Sequence, residues 1–138
     1  MLREEAPMDA GSARLLSPLQ LAYIGDSVWD LLIRSRLLYR GYSVHHMHDA
    51  AVHGVNAAAQ ARALVRLADR LTEDEQNVVL RGRNAHARHH APRHQSIADY
   101  AAATGLEALI GYLYISGQEE RLLELFRLTQ EEDLYAGR

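Results

Sequence analysis

The sequence predicts an all-α fold, and three observations carry that prediction. Residues 17–41 read as one long helix with apolar positions on several faces and clear start and stop signals. Two more helix beginnings follow, a Thr72-Glu73-Asp74-Glu75 capping box and a Ser96 cap. No run alternates with the two-residue period of a strand over a useful length, so the expected architecture is a helical bundle.

Residues 1–16 mix charge, Gly and Ala without sustained periodicity and are expected to form a loose arm. In the first helix Ser17 can cap free amides, Pro18 suits the first turn, and Gly41 supplies the stop. Leu19, Ala22, Tyr23, Ile24, Val28, Leu31, Leu32, Leu37 and Leu38 cover more than one stripe, which predicts a central helix that also serves as an interface. Residues 41–47 read as a connector, and an Ala-rich second helix is expected from about His48 to Arg70. The capping box opens a third helix through Val78, Val79 and Leu80. Residues 81–94 then hold four Arg, four His and no acid, and Gly82 and Pro92 mark them as a loop with a basic surface. Ser96 caps a fourth helix closed by Ser116-Gly117, and residues 118–129 form a short amphipathic fifth. The acidic tail, 130–138, is expected to fray.

At 138 residues and 48% hydrophobic content, the chain fits one domain over 1–138. Cysteine is absent, which excludes a disulfide framework and thiolate zinc sites and fits a reducing cytoplasm. The N-terminal residues carry charge and no apolar block, which argues against a signal peptide, and no apolar run approaches the ~20 residues of a membrane span. The expectation is a soluble protein. The net charge of −3 argues against a uniformly basic nucleic-acid binder, but it averages over a strong asymmetry along the chain.

Asp26 and Glu107 are the leading chemical candidates. Each acid falls inside an apolar helical pattern beside small residues, Gly25 and Ser27 for one, Gly105, Ala108 and Gly111 for the other. Two readings stand for the pair: hydrogen-bonded core acids, or carboxylates that converge in a bundle to hold a hard cation such as Mg²⁺. Gly25 leaves room for something close. The string Gly25-Asp26-Ser27 invites comparison with GDS-type esterases, but their strand-to-helix turn and late base His are missing, since no His follows His94. His45, Asp49 and His53 recur every four residues, a spacing open to a metal ligand set or to an ordinary helix-start cluster. In residues 81–94 the interleaved Arg and His suit phosphate contact, with a solvated loop as the plain alternative.

At L-A-Y-I-G-D-S-V (21–28) and A-T-G-L-E-A-L-I-G (103–111) the sequence resembles the ribonuclease III catalytic domain, specifically the short bacterial Mini-III ribonucleases. His48, Val55, Ala57, Gln60-Ala61 and the Arg81-Gly-Arg-Asn-Ala85 segment extend the resemblance over nearly the whole chain. By that resemblance Asp26 matches the catalytic Asp of the family's first motif and Glu107 the catalytic Glu of the second. Full-length members carry further acids where this chain has Leu19, Ala22 and Thr104, a thinning shared by the Mini-III group. The chain also leaves no room after its last helix for the family's appended double-stranded-RNA-binding domain.

The resemblance implies a helical bundle of the ribonuclease III type and a Mg²⁺-dependent, homodimeric endoribonuclease. It would cut double-stranded RNA in the maturation of large-subunit ribosomal RNA precursors in the cytoplasm, with a large-subunit ribosomal protein as a candidate substrate-shaping factor. Asp26 and Glu107 would be catalytic and hold the cation, Thr104 would orient a water, and Arg81, Arg83, Asn84, His86 and Arg88 would contact RNA. The dimer would bury Tyr23, Ile24, Val28, Trp29, Leu31, Leu32 and Ile33. The rival reading is a non-catalytic RNA-binding or ribosome-assembly factor on the same fold.

Overall fold

A computed structural model describes residues 3–86 and 96–130, which form seven helices and no strand. They are α1 (Ala10–Arg14), α2 (Pro18–Tyr39), α3 (Val44–Val55), α4 (Ala57–Leu67), α5 (Glu73–His86), α6 (Ile97–Ile115) and α7 (Glu119–Thr129). From Ala102 to Leu113 every residue of α6 is buried except Glu107. A helix that is apolar all round must be enclosed, and α2, α4, α5, α7 and α1 pack around it. Among the described residues no helix is long and apolar enough to cross a membrane.

Glycines decide how closely the central helices approach. α2 crosses α6 where Gly25 faces Gly111; a methyl group on Gly25 would overlap the Glu107 carbonyl oxygen, and one on Gly111 that of Leu21. On its other side α6 meets α5 at Gly82, whose added methyl would stand 2.9 Å from the Gly105 Cα. Gly82 is therefore a packing residue, and the expected break there does not occur: α5 continues through His86. The residues read as a basic loop begin inside a helix.

Along α2, Leu21, Gly25, Trp29, Ile33 and Leu37 are buried at four-residue intervals. The Trp29 ring meets Phe126 of α7 edge-on, with centroids 5.3 Å apart, and its Nε1 donates to the Gly54 carbonyl at 3.2 Å. Trp29 and Ile33 thus belong to the core of a single chain and not to an outer interface. Tyr23 and Leu31 stay 80% and 64% exposed.

Three boundaries differ from expectation for local reasons. The arm is not loose over its described part: Asp9 caps α1, Ala13 is fully buried, and the Met8 amide donates to the Ile115 carbonyl at 2.9 Å. Arg3 lies over the Tyr114 ring and donates to Glu119 at 2.9 Å, so the segment supplies partners that the end of α6 would otherwise lack. The second helix starts early, because Ser43 caps the His46 amide, and it splits at Asn56. The Asn56 side chain accepts from the Ala59 amide at 2.8 Å and so begins α4 as a separate helix. Ser17 occupies the N-cap position of α2 without a side-chain hydrogen bond.

The capping box forms as written. The Thr72 amide donates to Glu75 Oε1 at 2.9 Å and the Glu75 amide to the Thr72 hydroxyl at 3.2 Å. Arg121 of α7 donates to both Glu75 oxygens, at 2.9 and 2.8 Å, and ties the start of α5 to the last helix.

Candidate active site

Asp26 and Glu107 come together because α2 and α6 touch backbone to backbone. With no side chain at Gly25 or Gly111, the next residue of α2 reaches across to Glu107, the one position between Ala102 and Leu113 of α6 that is not buried. The two carboxyl groups are within hydrogen-bonding reach of each other. They face a cleft of about 380 Å³ between α2, α4 and α6 that Thr104, Tyr100 and Gln60 also line. Asp26 is exposed at the mouth and Glu107 half-buried behind it, so the first acid sits at the edge of the apolar stripe and not inside it.

The electrostatics of the pair are unbalanced. Burial, then the hydrogen bond and the negative charge of Asp26, push the Glu107 carboxyl up to about 9. The hydrogen bond from Gln60 Nε2 to Glu107 Oε2, 3.4 Å long, offsets only part of this. Among the described residues no Arg, Lys or His forms an ion pair with either acid. Buried beside a second carboxyl, Glu107 keeps its proton near neutrality.

The other predicted residues divide. Thr104, one turn before Glu107, is 7% exposed and lines the same cleft, with its hydroxyl donating to the Tyr100 carbonyl at 3.0 Å. Arg83 and Asn84 are exposed on α5, and Arg83 lines a neighbouring groove beside Asp99 and Ala102. Arg81 is committed elsewhere: its guanidinium donates to the carbonyls of Arg14 and Leu16, just before α2 begins. Arg88 lies outside the described residues, as does the His86 side chain. His45 and Asp49 approach to 3.6 Å, both exposed, and no group of three or more His, Asp or Glu is gathered for a metal among the described residues. Gln60 had carried the resemblance without being assigned a role. Its signal was available, since it falls in the buried stripe of α4 with Ala57, Ala63, Leu64 and Leu67.

Comparison with known families identifies the family of the chain. The ribonuclease III domain family matches residues 19–118, a span that contains both acids, Gln60 and Thr104. The chain belongs to the ribonuclease III family. Its relatives include the Mini-ribonuclease 3 of Symbiobacterium thermophilum, 52% identical over 84% of this chain and 89% of that protein. The Mini-ribonuclease 3 of Brevibacillus brevis is 44% identical over 91% of each. A crystal structure of a protein from Fusobacterium nucleatum superposes with a TM-score of 0.76 at 30% identity, covering 83% of this chain and 92% of that one. As a ribonuclease III family member the chain is an endoribonuclease, and the all-helical fold agrees with that assignment.

Proposed function

We propose that this endoribonuclease is Mg²⁺-dependent, cuts double-stranded RNA as a homodimer, and matures large-subunit ribosomal RNA precursors in the cytoplasm. The observation that carries the reading is the meeting of Asp26 with Glu107 in an open cleft where, among the described residues, no Arg or His forms an ion pair with either acid. The donor set fits the ion: Mg²⁺ takes oxygen ligands, keeps several waters, and is commonly held by one or two carboxylates plus substrate phosphate. Bound there, it would supply positive charge to a phosphate oxygen and lower the pKa of an attacking water.

The remaining work belongs to the chain. Asp26 and Glu107 would hold the ion, and Glu107 would give up its proton to do so. Thr104 lines the cleft one turn before Glu107 and donates its hydroxyl proton to the Tyr100 carbonyl, so the oxygen keeps acceptor capacity with which it would orient a water. Attack forms the new P–O bond and breaks the bond to the 3′ oxygen, which leaves as a hydroxyl, so the products end in 5′-phosphate and 3′-hydroxyl. Arg83 and Asn84, with His86 and Arg88 following in sequence, meet backbone phosphates, while the A-form duplex is recognised by shape and 2′-hydroxyls. Arg81 supports this surface from behind by anchoring the entry to α2.

The dimer is supported by apolar surface left uncovered on one chain. Leu19, Tyr23 and Leu31 are exposed, and Leu16, Leu19, Tyr23 and Ile24 border an apolar hollow. Soluble monomers avoid contiguous patches of this kind. A two-fold pair would set one Asp26–Glu107 site against each strand and cut with a short 3′ overhang. A large-subunit ribosomal protein that shapes the RNA is compatible with this reading. The test is cleavage of a precursor hairpin, with and without Mg²⁺, by wild type, Asp26→Asn and Glu107→Gln. Loss of cutting in both variants with RNA affinity kept is the expected result, and full activity in either one overturns the assignment.

A further inference from the structure

Four polar or charged side chains are buried in the described chain: Gln60, Glu75, Thr104 and Thr129. Three have roles in the architecture. Glu75 binds Arg121, Thr104 donates to the Tyr100 carbonyl, and Thr129 donates to the Phe126 carbonyl at 2.6 Å. Gln60 is 2% exposed, and its side-chain amide instead donates to Glu107 Oε2. Every other buried position of α4 is Ala or Leu. An amide in that stripe is costly unless its hydrogen bond is made, so packing alone does not account for it.

We propose that Gln60 is a positioning residue that holds the Glu107 carboxylate toward Asp26, so that the two acids present their oxygens together to a divalent cation. The inference rests on the cation-dependent reading above. Asp26 comes from α2 and Glu107 from α6, and the glycine crossing brings these helices together but does not by itself set where the Glu107 carboxyl points. Gln60 supplies the restraint from a third helix, α4, whose start Asn56 sets one turn earlier. The present bond of 3.4 Å is long for its type. Groups that orient a ligand in this way typically govern affinity for the ion.

The experiment uses Mn²⁺ as the probe, titrated into the full chain without RNA and followed by electron paramagnetic resonance. Wild type, Asp26→Asn, Gln60→Leu and Gln60→Met are compared. Gln60→Leu is expected to weaken Mn²⁺ binding roughly 10- to 100-fold. Far-UV circular dichroism and cation-free RNA affinity should stay at wild-type levels, and excess Mg²⁺ should restore cleavage toward the wild-type rate. A residue that only filled space would lower the melting temperature and leave the Mn²⁺ titration unmoved. That result in both Gln60 variants overturns the inference, as does failure of both to fold. If Asp26→Asn binds Mn²⁺ as well as wild type does, the cation reading itself falls and takes the role of Gln60 with it. Weakening by Asp26→Asn alone keeps the cation and removes only the role of Gln60.

Discussion

Glu75 and Glu107 are both glutamates taken into the bundle, one in the first turn of α5 and one midway along α6, and their surroundings have opposite sign. Glu75 receives Nε and Nη2 of the Arg121 guanidinium and the Thr72 amide, so its charge is balanced inside the chain. Burial alone would push its carboxyl up, yet these bonds hold it below the ordinary carboxylate range. Glu107 meets another acid and a neutral amide, and is pushed up to about 9. A buried carboxylate with its own cation locks two helices together. One left facing a second carboxylate lowers stability and is the mark of a site that an outside charge completes.

The largest effect that could break this contrast is on turnover. Glu107→Gln should lower the single-turnover rate on a hairpin substrate by about 10³-fold or more, since several kcal/mol of charge stabilisation are lost. Glu75→Gln should leave the rate per folded molecule near wild type. An inactive yet folded Glu75→Gln protein would erase the distinction between the two sites.

Stability should respond the other way round. Breaking a buried ion pair from one side costs about 3–5 kcal/mol, and the lower figure applies here because the Arg121 side chain is 26% exposed. Glu75→Gln should therefore melt lower by about 10 °C. Cation-free Glu107→Gln, which replaces a buried carboxyl already held neutral, should melt no lower than wild type by calorimetry.

The pH dependence sharpens the comparison because the two shifts have opposite signs. In the folded chain Glu107 holds its proton up to about pH 9, against 4.5 ordinarily. The stability it contributes is complete below about 4.5 and is lost as pH rises through about 9. Glu75 is shifted down from 4.5, so its contribution is present above that value and is lost as pH falls through its lower folded value. In melts of the cation-free protein across pH, Glu107→Gln should flatten the alkaline limb and Glu75→Gln the acid limb. Added Mg²⁺ should stabilise wild type more at pH 9 than at pH 6, since fewer protons compete for the site.

The smallest effect separates the two arginines of α5. Arg83→Ala should reduce the log–log salt slope of RNA binding by about one. Arg81→Ala should leave the slope unchanged and lower the melting temperature, because it frees two carbonyls at the entry to α2.

Much of the fold was legible because helix ends are local chemistry. Thr72 with Glu75, Ser96, and Gly117 at φ +74 all act where the residue order says they should. Asn56 and Ser43 use the same chemistry, yet they went unread inside an Ala-rich run that looked continuous. Asp26 and Glu107 could be picked out as acids in apolar stretches. Arg81 and Arg83, two residues apart, look alike on the page; α5 turns one toward the N-terminal segment and the other outward.

Readable along the chain were the all-helical class, the ends of α2, α6 and α7, the start of α5, the two acids and the family they mark. Each of these depends on residues within a few turns of one another or on a motif read along the chain. Only the tertiary structure decided that Gly82 packs and does not break a helix, that Trp29 and Ile33 are core, that Asp26 is exposed while Glu107 is not, and that Gln60 joins them. Those outcomes depend on where α4, α5 and α2 cross α6, and backbone contact at Gly25–Gly111 and Gly82–Gly105 is a relation between residues more than twenty positions apart that no local pattern encodes.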